Sequence, residues 1–247
     1  MTNWVKATVV ENICWHERLF SLRVKAPLDC FIAGQFTKLA LEVGGERFTR
    51  AYSFVNSPDN SIHEFYYVTV EGGALSPQLA LLSAGDSIDV AVQASGFFTL
   101  DEVPDGKELW LLSTGTAIGP YLSMLETPDL LQRFESIVLV HCVRHQQDLS
   151  YQAAIKSLEN DYGNKLTYLP IVTRDAPQGM LSQRVPLAIS NGELARRVQV
   201  ALNPASSQVM ICGNPAMVRD AKGALIELGF IKNLRRAPGN ITVENYW

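Results

Sequence analysis

The run Arg50-Ala51-Tyr52-Ser53 gathers three side chains with complementary chemistry. Two residues apart on a strand, Arg50 and Tyr52 project to the same side. There the guanidinium can clamp a phosphate with paired N–H donors. The phenol ring can stack on a flat ring system, and the Ser53 hydroxyl can hydrogen-bond a ring nitrogen. Taken alone, the tetrapeptide reads more simply as an edge strand with a solvated arginine and a core tyrosine. A second run, Gly72-Gly73-Ala74-Leu75-Ser76-Pro77, leads into a short helical stretch. Its glycines let backbone N–H groups approach an anion, and a helix N-terminus favours negative charge. Ser76 is expected as the N-cap, with Pro77 in the first turn. A pyrophosphate would suit this loop; a plain turn before a capped helix is the simpler alternative.

The remaining candidates stand where apolar runs end. Ser113-Thr114-Gly115-Thr116-Ala117-Ile118-Gly119-Pro120 follows the run LWLLST. It forms a strand, Gly-rich turn and helix, the local geometry of a nucleotide site at the carboxyl end of a sheet. It is neither G-x-G-x-x-G nor a Walker A sequence, since no lysine follows. Arg144 stands just beyond the next apolar run, where folds selecting NAD often place Asp or Glu against the ribose 2′-hydroxyl. Arg174 ends the third run and Arg184 comes ten residues later. Each alone reads as a solvated surface arginine, with Asp148 and Asp175 near enough to pair. Three at related positions point toward the 2′-phosphate of NADP. Cys212-Gly213-Asn214-Pro215 is another strand end opening a helix. Cys212 there is either a small buried hydrophobe or part of a nicotinamide pocket. The chain closes on Val243-Glu244-Asn245-Tyr246-Trp247, two aromatics where termini usually fray. They read as docked on a flat group, or as the end of a closing strand.

The elements that must position these residues change character along the chain. Segments 4–10, 18–24, 35–42, 47–55, 64–70 and 87–92 are short, rich in Val, Phe, Tyr and Thr, and separated by Gly, Pro, Asn and Asp. That pattern predicts an antiparallel barrel or sandwich, interrupted by one helix over 78–82. From about residue 101, fully apolar strands at 109–114, 137–143, 166–172 and 207–213 alternate with helices at 120–125, 151–162 and 216–228. This predicts a parallel sheet covered on both faces. The expected division is an antiparallel β-barrel over residues 1–100 and an α/β nucleotide-binding domain over 101–247, joined by a polar linker at 100–106.

Composition narrows the class. The 247 residues carry a formal charge of −4, which argues against a surface built for nucleic acid. No run of 18 apolar residues suits a membrane-spanning helix. The N-terminus has neither a long apolar core nor a small-residue cleavage site, so the cytoplasm is expected. Cys14, Cys30, Cys142 and Cys212 are scattered, without C-x-x-C or C-x4-C-x2-C spacing. Reduced thiols are expected, and no metal or iron–sulfur site.

Together the six motifs resemble those of the ferredoxin/flavodoxin–NADP reductase family, in its compact bacterial form, over nearly the whole chain. Arg50–Ser53 is similar to the family's R-x-Y-[ST] flavin motif, and Gly73–Pro77 to its pyrophosphate loop. Thr114–Pro120 is similar to T-G-x-x-x-G-P, and Cys212-Gly213 to its C-G pair. The resemblance implies that Arg50, Tyr52, Ser53, Tyr66, Tyr67, Val68, Gly73, Leu75, Ser76, Thr116 and Trp247 hold FAD. It implies that Arg144, Arg174 and Arg184 grip NADP, and that Ser53, Cys212 and Glu244 flank the reacting rings. The implied reaction is hydride transfer between NADPH and flavin N5, then single-electron transfers with flavodoxin or ferredoxin. A monomer is expected. Lacking cluster cysteines, the chain needs a separate electron carrier. Such carriers are acidic, so a basic docking patch is expected, with 222–236 a candidate. A free-flavin reductase or the reductase component of an oxygenase is the alternative within enzymes. A non-catalytic nucleotide-binding module on the same scaffold is the alternative outside them.

Overall fold

The structure is a computed structural model that describes residues 2–127 and 132–246. By its internal contacts the chain divides into two compact units. The first comprises residues 2–99 with 119–127, the second 100–118 with the described residues from 132 onward.

The first unit is a six-stranded antiparallel sheet. Its strands are β1 (Trp4–His16), β2 (Leu19–Lys25), β3 (Phe36–Val43), β4 (Glu46–Ser53), β5 (His63–Val68) and β6 (Ser87–Ala91), in the order β4-β3-β6-β1-β2-β5. β1 is long enough to serve two neighbours. Trp4–Thr8 pairs with β6, and Thr8–His16 with β2. Register shifts between Val9 and Glu11 and between Cys14 and His16 interrupt the ladder. Such bulges increase local twist and curl the sheet. The two outer strands then meet through an antiparallel bridge between Phe54 and Phe65 and a Val55 N–H to Glu64 O bond of 2.9 Å. The inward face is filled by Leu22, Leu39, Phe54, Phe65, Ile88 and Val90, each 1% exposed or less. A barrel-like antiparallel unit is therefore observed, as the strand pattern predicts.

Helix α1 (Ser76–Leu79) is shorter than expected, and Ser76 is not its N-cap. Leu75 holds that position without a side-chain cap. The Ser76 hydroxyl instead accepts the Val70 N–H at 2.9 Å. The turn at 70–73 thus takes up the hydroxyl through the Val70 N–H. Helix α2 (Gly119–Leu125) also belongs to the first unit. The Ser123 hydroxyl donates to Asn56 O at 2.7 Å, and Glu126 accepts the Ser57 N–H at 2.8 Å.

The second unit is a five-stranded parallel sheet. Its strands are β7 (Glu108–Thr114), β8 (Ser136–Val143), β9 (Leu166–Val172), β10 (Ser207–Gly213) and β11 (Ile241–Asn245), ordered β11-β10-β7-β8-β9. Leu109–Leu112 and Ile137–Val140 have no exposure, as central strands covered on both faces require. Pro170 is confined to β9, an edge strand, where its missing N–H is tolerated. Helices α3 (Gln152–Tyr162), α4 (Val185–Ser190), α5 (Glu193–Val198) and α6 (Pro215–Glu227) complete the unit. The six-residue α4 and α5 were not expected from the sequence, being too short to show a helical period. β11 is the closing strand foreseen for the terminus; Tyr246 follows it, and Trp247 lies outside the described residues. Among the described residues, no helix is long and apolar enough to cross a membrane.

Gly34 tests the packing of the first unit. Its φ is +99°, and a Cβ there would collide with the Phe98 carbonyl and the Met124 side chain. Gly34→Ala is expected to cost about 1–3 kcal/mol, read as a lower midpoint in urea denaturation; an unchanged midpoint contradicts this packing.

Candidate functional site

In the first unit the candidate residues meet because the outer strands are joined. The Phe54–Phe65 bridge sets β4 against β5, so Tyr52 stands edge-on to Tyr67 with ring centroids 6.1 Å apart. Phe20 stacks on the other side of Tyr67 at 5.7 Å. The Tyr67 hydroxyl donates to Asn12 at 3.3 Å. The Asn12 amide in turn donates to Leu79 O and Leu82 O, both at 2.9 Å, tying α1 to this wall. Burial pushes the Tyr52 phenol up to about 12 and the Tyr67 phenol higher still, so both remain neutral. Tyr66 and Ser53 are buried, and Val68 is half-buried opposite Leu19.

Arg50 is exposed beside this wall. Its Nη1 donates to Thr49 O at 2.7 Å, and among the described residues no carboxylate pairs with it. Gly73 sits in a turn closed by its own N–H to Val70 O at 2.9 Å. A Cβ on Gly73 would lie 2.9 Å from that same carbonyl, so the turn requires glycine. Leu75 and Ser76 are buried immediately after it. The donor set suits a flat ring carrying a phosphate chain: aromatic faces, a hydroxyl, a guanidinium with no carboxylate partner among the described residues, and a glycine turn.

In the second unit the strand order decides. The chain enters at β7, proceeds outward to β8 and β9, then returns to β10 on the other side. This places a topological switch point between the carboxyl ends of β7 and β10, where open α/β sheets bind ligands. The turns after both strands meet there. The Asn214 N–H donates to the Thr114 hydroxyl at 3.1 Å. Gly213, at φ +149°, allows this approach, because a Cβ would collide with the Thr114 hydroxyl. Thr116 is buried in the turn after β7.

Cys212 and Glu244 are paired across β10 and β11. Cys212 has no exposure. Burial, then the Glu244 charge, raise its thiol well above the ordinary range, so it stays protonated. Glu244 is half-buried, and burial lifts its carboxyl to about 7.

The three arginines gather at the carboxyl edge of β8 and β9. The Arg174 N–H donates to Arg144 O at 2.9 Å. Arg184 precedes α4, and its charge acts on the Cys142 thiol of β8. All three are exposed, and no carboxylate pairs with them among the described residues. Asp175, the foreseen partner, instead accepts from Gln146 N at 2.9 Å and lies 3.1 Å from His145 Nδ1. Asp148 accepts the His145 N–H at 3.0 Å.

The basic segment 222–236 lies elsewhere. α6 runs back from Gly213 toward the amino-terminal edge of the sheet. Beyond its end Gly229 approaches Pro204, ahead of β10, and Arg235 pairs with Glu102 at 3.1 Å.

Residues that sequence reasoning passed over are His141 and Tyr168, behind the turn at Gly115. A lone His in an apolar strand reads as core, and nothing local links it to a tyrosine 27 positions on.

Comparison with known proteins agrees with this geometry. Residues 5–97 match the model of an oxidoreductase FAD-binding domain, and residues 111–223 that of an oxidoreductase NAD-binding domain. The flavodoxin/ferredoxin–NADP reductase of Shigella flexneri is 52% identical over 250 residues, covering 100% of both chains. That of Escherichia coli (strain K12) is 51% identical with the same coverage. The crystal structure of a ferredoxin NADP+ reductase from Neisseria gonorrhoeae with bound FAD and NADP is similar with a TM-score of 0.94 at 31% identity, covering 100% of both chains. The chain belongs to the flavodoxin/ferredoxin–NADP reductase family.

Proposed function

We propose that the protein moves electrons between NADPH and flavodoxin or ferredoxin through FAD, with residues 1–100 binding FAD and 101–247 binding NADP. The observation that carries the NADP part is the trio Arg144, Arg174 and Arg184, exposed at one sheet edge, with no carboxylate paired to them among the described residues. Guanidinium groups clamp phosphate with paired N–H donors, and a 2′-phosphate distinguishes NADPH from NADH.

When bound, FAD accepts two electrons together and releases them singly, which is the chemistry it supplies. Arg50 neutralises its phosphate. Gly73, lacking a side chain, would let the pyrophosphate approach the turn closely, and Leu75 and Ser76 would hold it through backbone and hydroxyl. Tyr52, Tyr66, Tyr67 and Val68 form the wall that orients the ring and excludes water, and Ser53 offers a hydroxyl to it. Trp247, outside the described residues, would meet the adenine end, as the family resemblance implies. Thr116 orients the dinucleotide from the turn after β7. Cys212 shapes the nicotinamide pocket as a neutral packing group. Glu244 presents a carboxyl that holds its proton up to about pH 7.

Four unpaired cysteines, two of them exposed, support the reducing cytoplasm as the protein's location.

Arg144→Ala is expected to raise the KM for NADPH about 10-fold or more, from the loss of a charge-assisted contact of roughly 1.5–3 kcal/mol. The KM for NADH should change far less. Steady-state kinetics with both nucleotides checks this, and equal changes would overturn the NADP assignment.

Glu244 gives a pH signature. Its folded pKa lies above the ordinary carboxylate value of 4.5, so folding favours the neutral form. Its contribution is complete below about pH 4.5 and is lost as pH rises toward 7. Denaturation midpoints of Glu244→Gln, compared with the unmodified protein at pH 5 and pH 8, should show the variant gaining relative stability at pH 8. A difference that does not depend on pH contradicts the burial of this carboxyl.

A further inference from the structure

Behind the turn at Gly115 runs a polar chain, buried at its His141 end and reaching the surface at Gln152, that the function proposed above does not use. His141, in β8, has no exposure. Its Nε2 lies 3.1 Å from Gly115 O, and its Nδ1 lies 3.4 Å from the Tyr168 hydroxyl oxygen. That oxygen accepts from the Gln152 amide at 3.0 Å.

The direction of each bond follows from what each atom can do. A carbonyl oxygen only accepts, so Nε2 carries the proton. Nδ1 is then a lone-pair acceptor, and the Tyr168 hydroxyl must donate to it. The phenol oxygen remains free to accept from Gln152. All three donors therefore point one way, from α3 through β9 and β8 to the Gly115 carbonyl. Desolvation lowers the His141 pKa to about 4, so this tautomer persists at ordinary pH.

The consequence lies on the opposite side of one peptide bond. The Gly115 carbonyl and the Thr116 N–H belong to the same planar trans unit and point in opposite directions. Holding the carbonyl from behind fixes where the N–H aims. Gly115, at φ +56°, opens the short 3-10 turn Gly115–Ile118, and the His141 ring reaches its carbonyl from behind.

We propose that His141, held by Tyr168 and Gln152, is a positioning residue that aims the Thr116 N–H at the bound dinucleotide. The proposal rests on reading the switch point as the nucleotide site. It concerns a part common to NADPH and NADH, not the 2′-phosphate. Tyr168, on the edge strand, reaches the nucleotide only through His141.

The test measures KM and kcat for both nucleotides with ferricyanide as acceptor, in the FAD-loaded full chain. Tyr168→Phe removes one hydroxyl and keeps the ring. It is expected to raise both KM values by the same factor, about 3–10-fold, the scale of one hydrogen bond. Its kcat should stay within about twofold. His141→Gln, whose amide can still donate to Gly115 O, should recover most of the affinity lost in His141→Leu. Arg144→Ala runs beside them and separates the two ideas. If it discriminates NADPH from NADH while Tyr168→Phe leaves both KM values unchanged, the positioning role is wrong and the nucleotide reading stands. If Arg144→Ala is also without effect, both fall. Should His141→Leu fail to fold, Tyr168→Phe decides alone.

Discussion

The contact between Gly213 and Thr114 is the constraint on which the second unit's chemistry depends. Two strand-to-helix turns from opposite sides of a reversal in strand order must share one small volume. A side chain at 213 would occupy the place of the Thr114 hydroxyl. With glycine there, that hydroxyl accepts the Asn214 N–H, and Asn214 in turn caps α6 by accepting from Ala216 N at 3.0 Å. One missing Cβ thus joins β7, β10 and α6. Everything else at the carboxyl edge, from the buried Thr116 to the three arginines, is arranged around that junction.

The first unit solves a related problem by curvature. Residues 50–53 and 66–68 lie on opposite outer strands of the six-stranded order and would be far apart in a flat sheet. The bulges in β1 curl the sheet until Phe54 meets Phe65, and Tyr52 then meets Tyr67. Asn12, from the bulged strand itself, bonds both Tyr67 and the end of α1. The aromatic wall and the end of α1 are therefore held by one amide.

Much of this was legible in the sequence because burial writes itself into composition. Leu109–Leu112 and Ile137–Val140 are apolar without interruption, and only strands covered on both faces read that way. Arg144 and Arg174 could be singled out because each stands just past such a run, and Arg184 because it follows ten residues on. Strand order could not be read, since parallel strands carry no mark of their neighbours, and so the switch point emerged only from the structure. The N-cap expected of Ser76 failed for a local reason: a competing N–H from Val70, six residues earlier, claims its hydroxyl. His141 stayed hidden because its partners are Gly115 and Tyr168, one on each neighbouring strand or turn.

The measurement that bears most directly on the account is an anaerobic titration of the purified protein with NADPH, followed by visible absorbance, with oxidised flavodoxin added at the end. The account predicts a yellow protein whose flavin band bleaches stoichiometrically with NADPH and much less readily with NADH, and returns when flavodoxin is added. A colourless protein that takes up no FAD would contradict it. So would a bleached band that free flavin restores and flavodoxin does not.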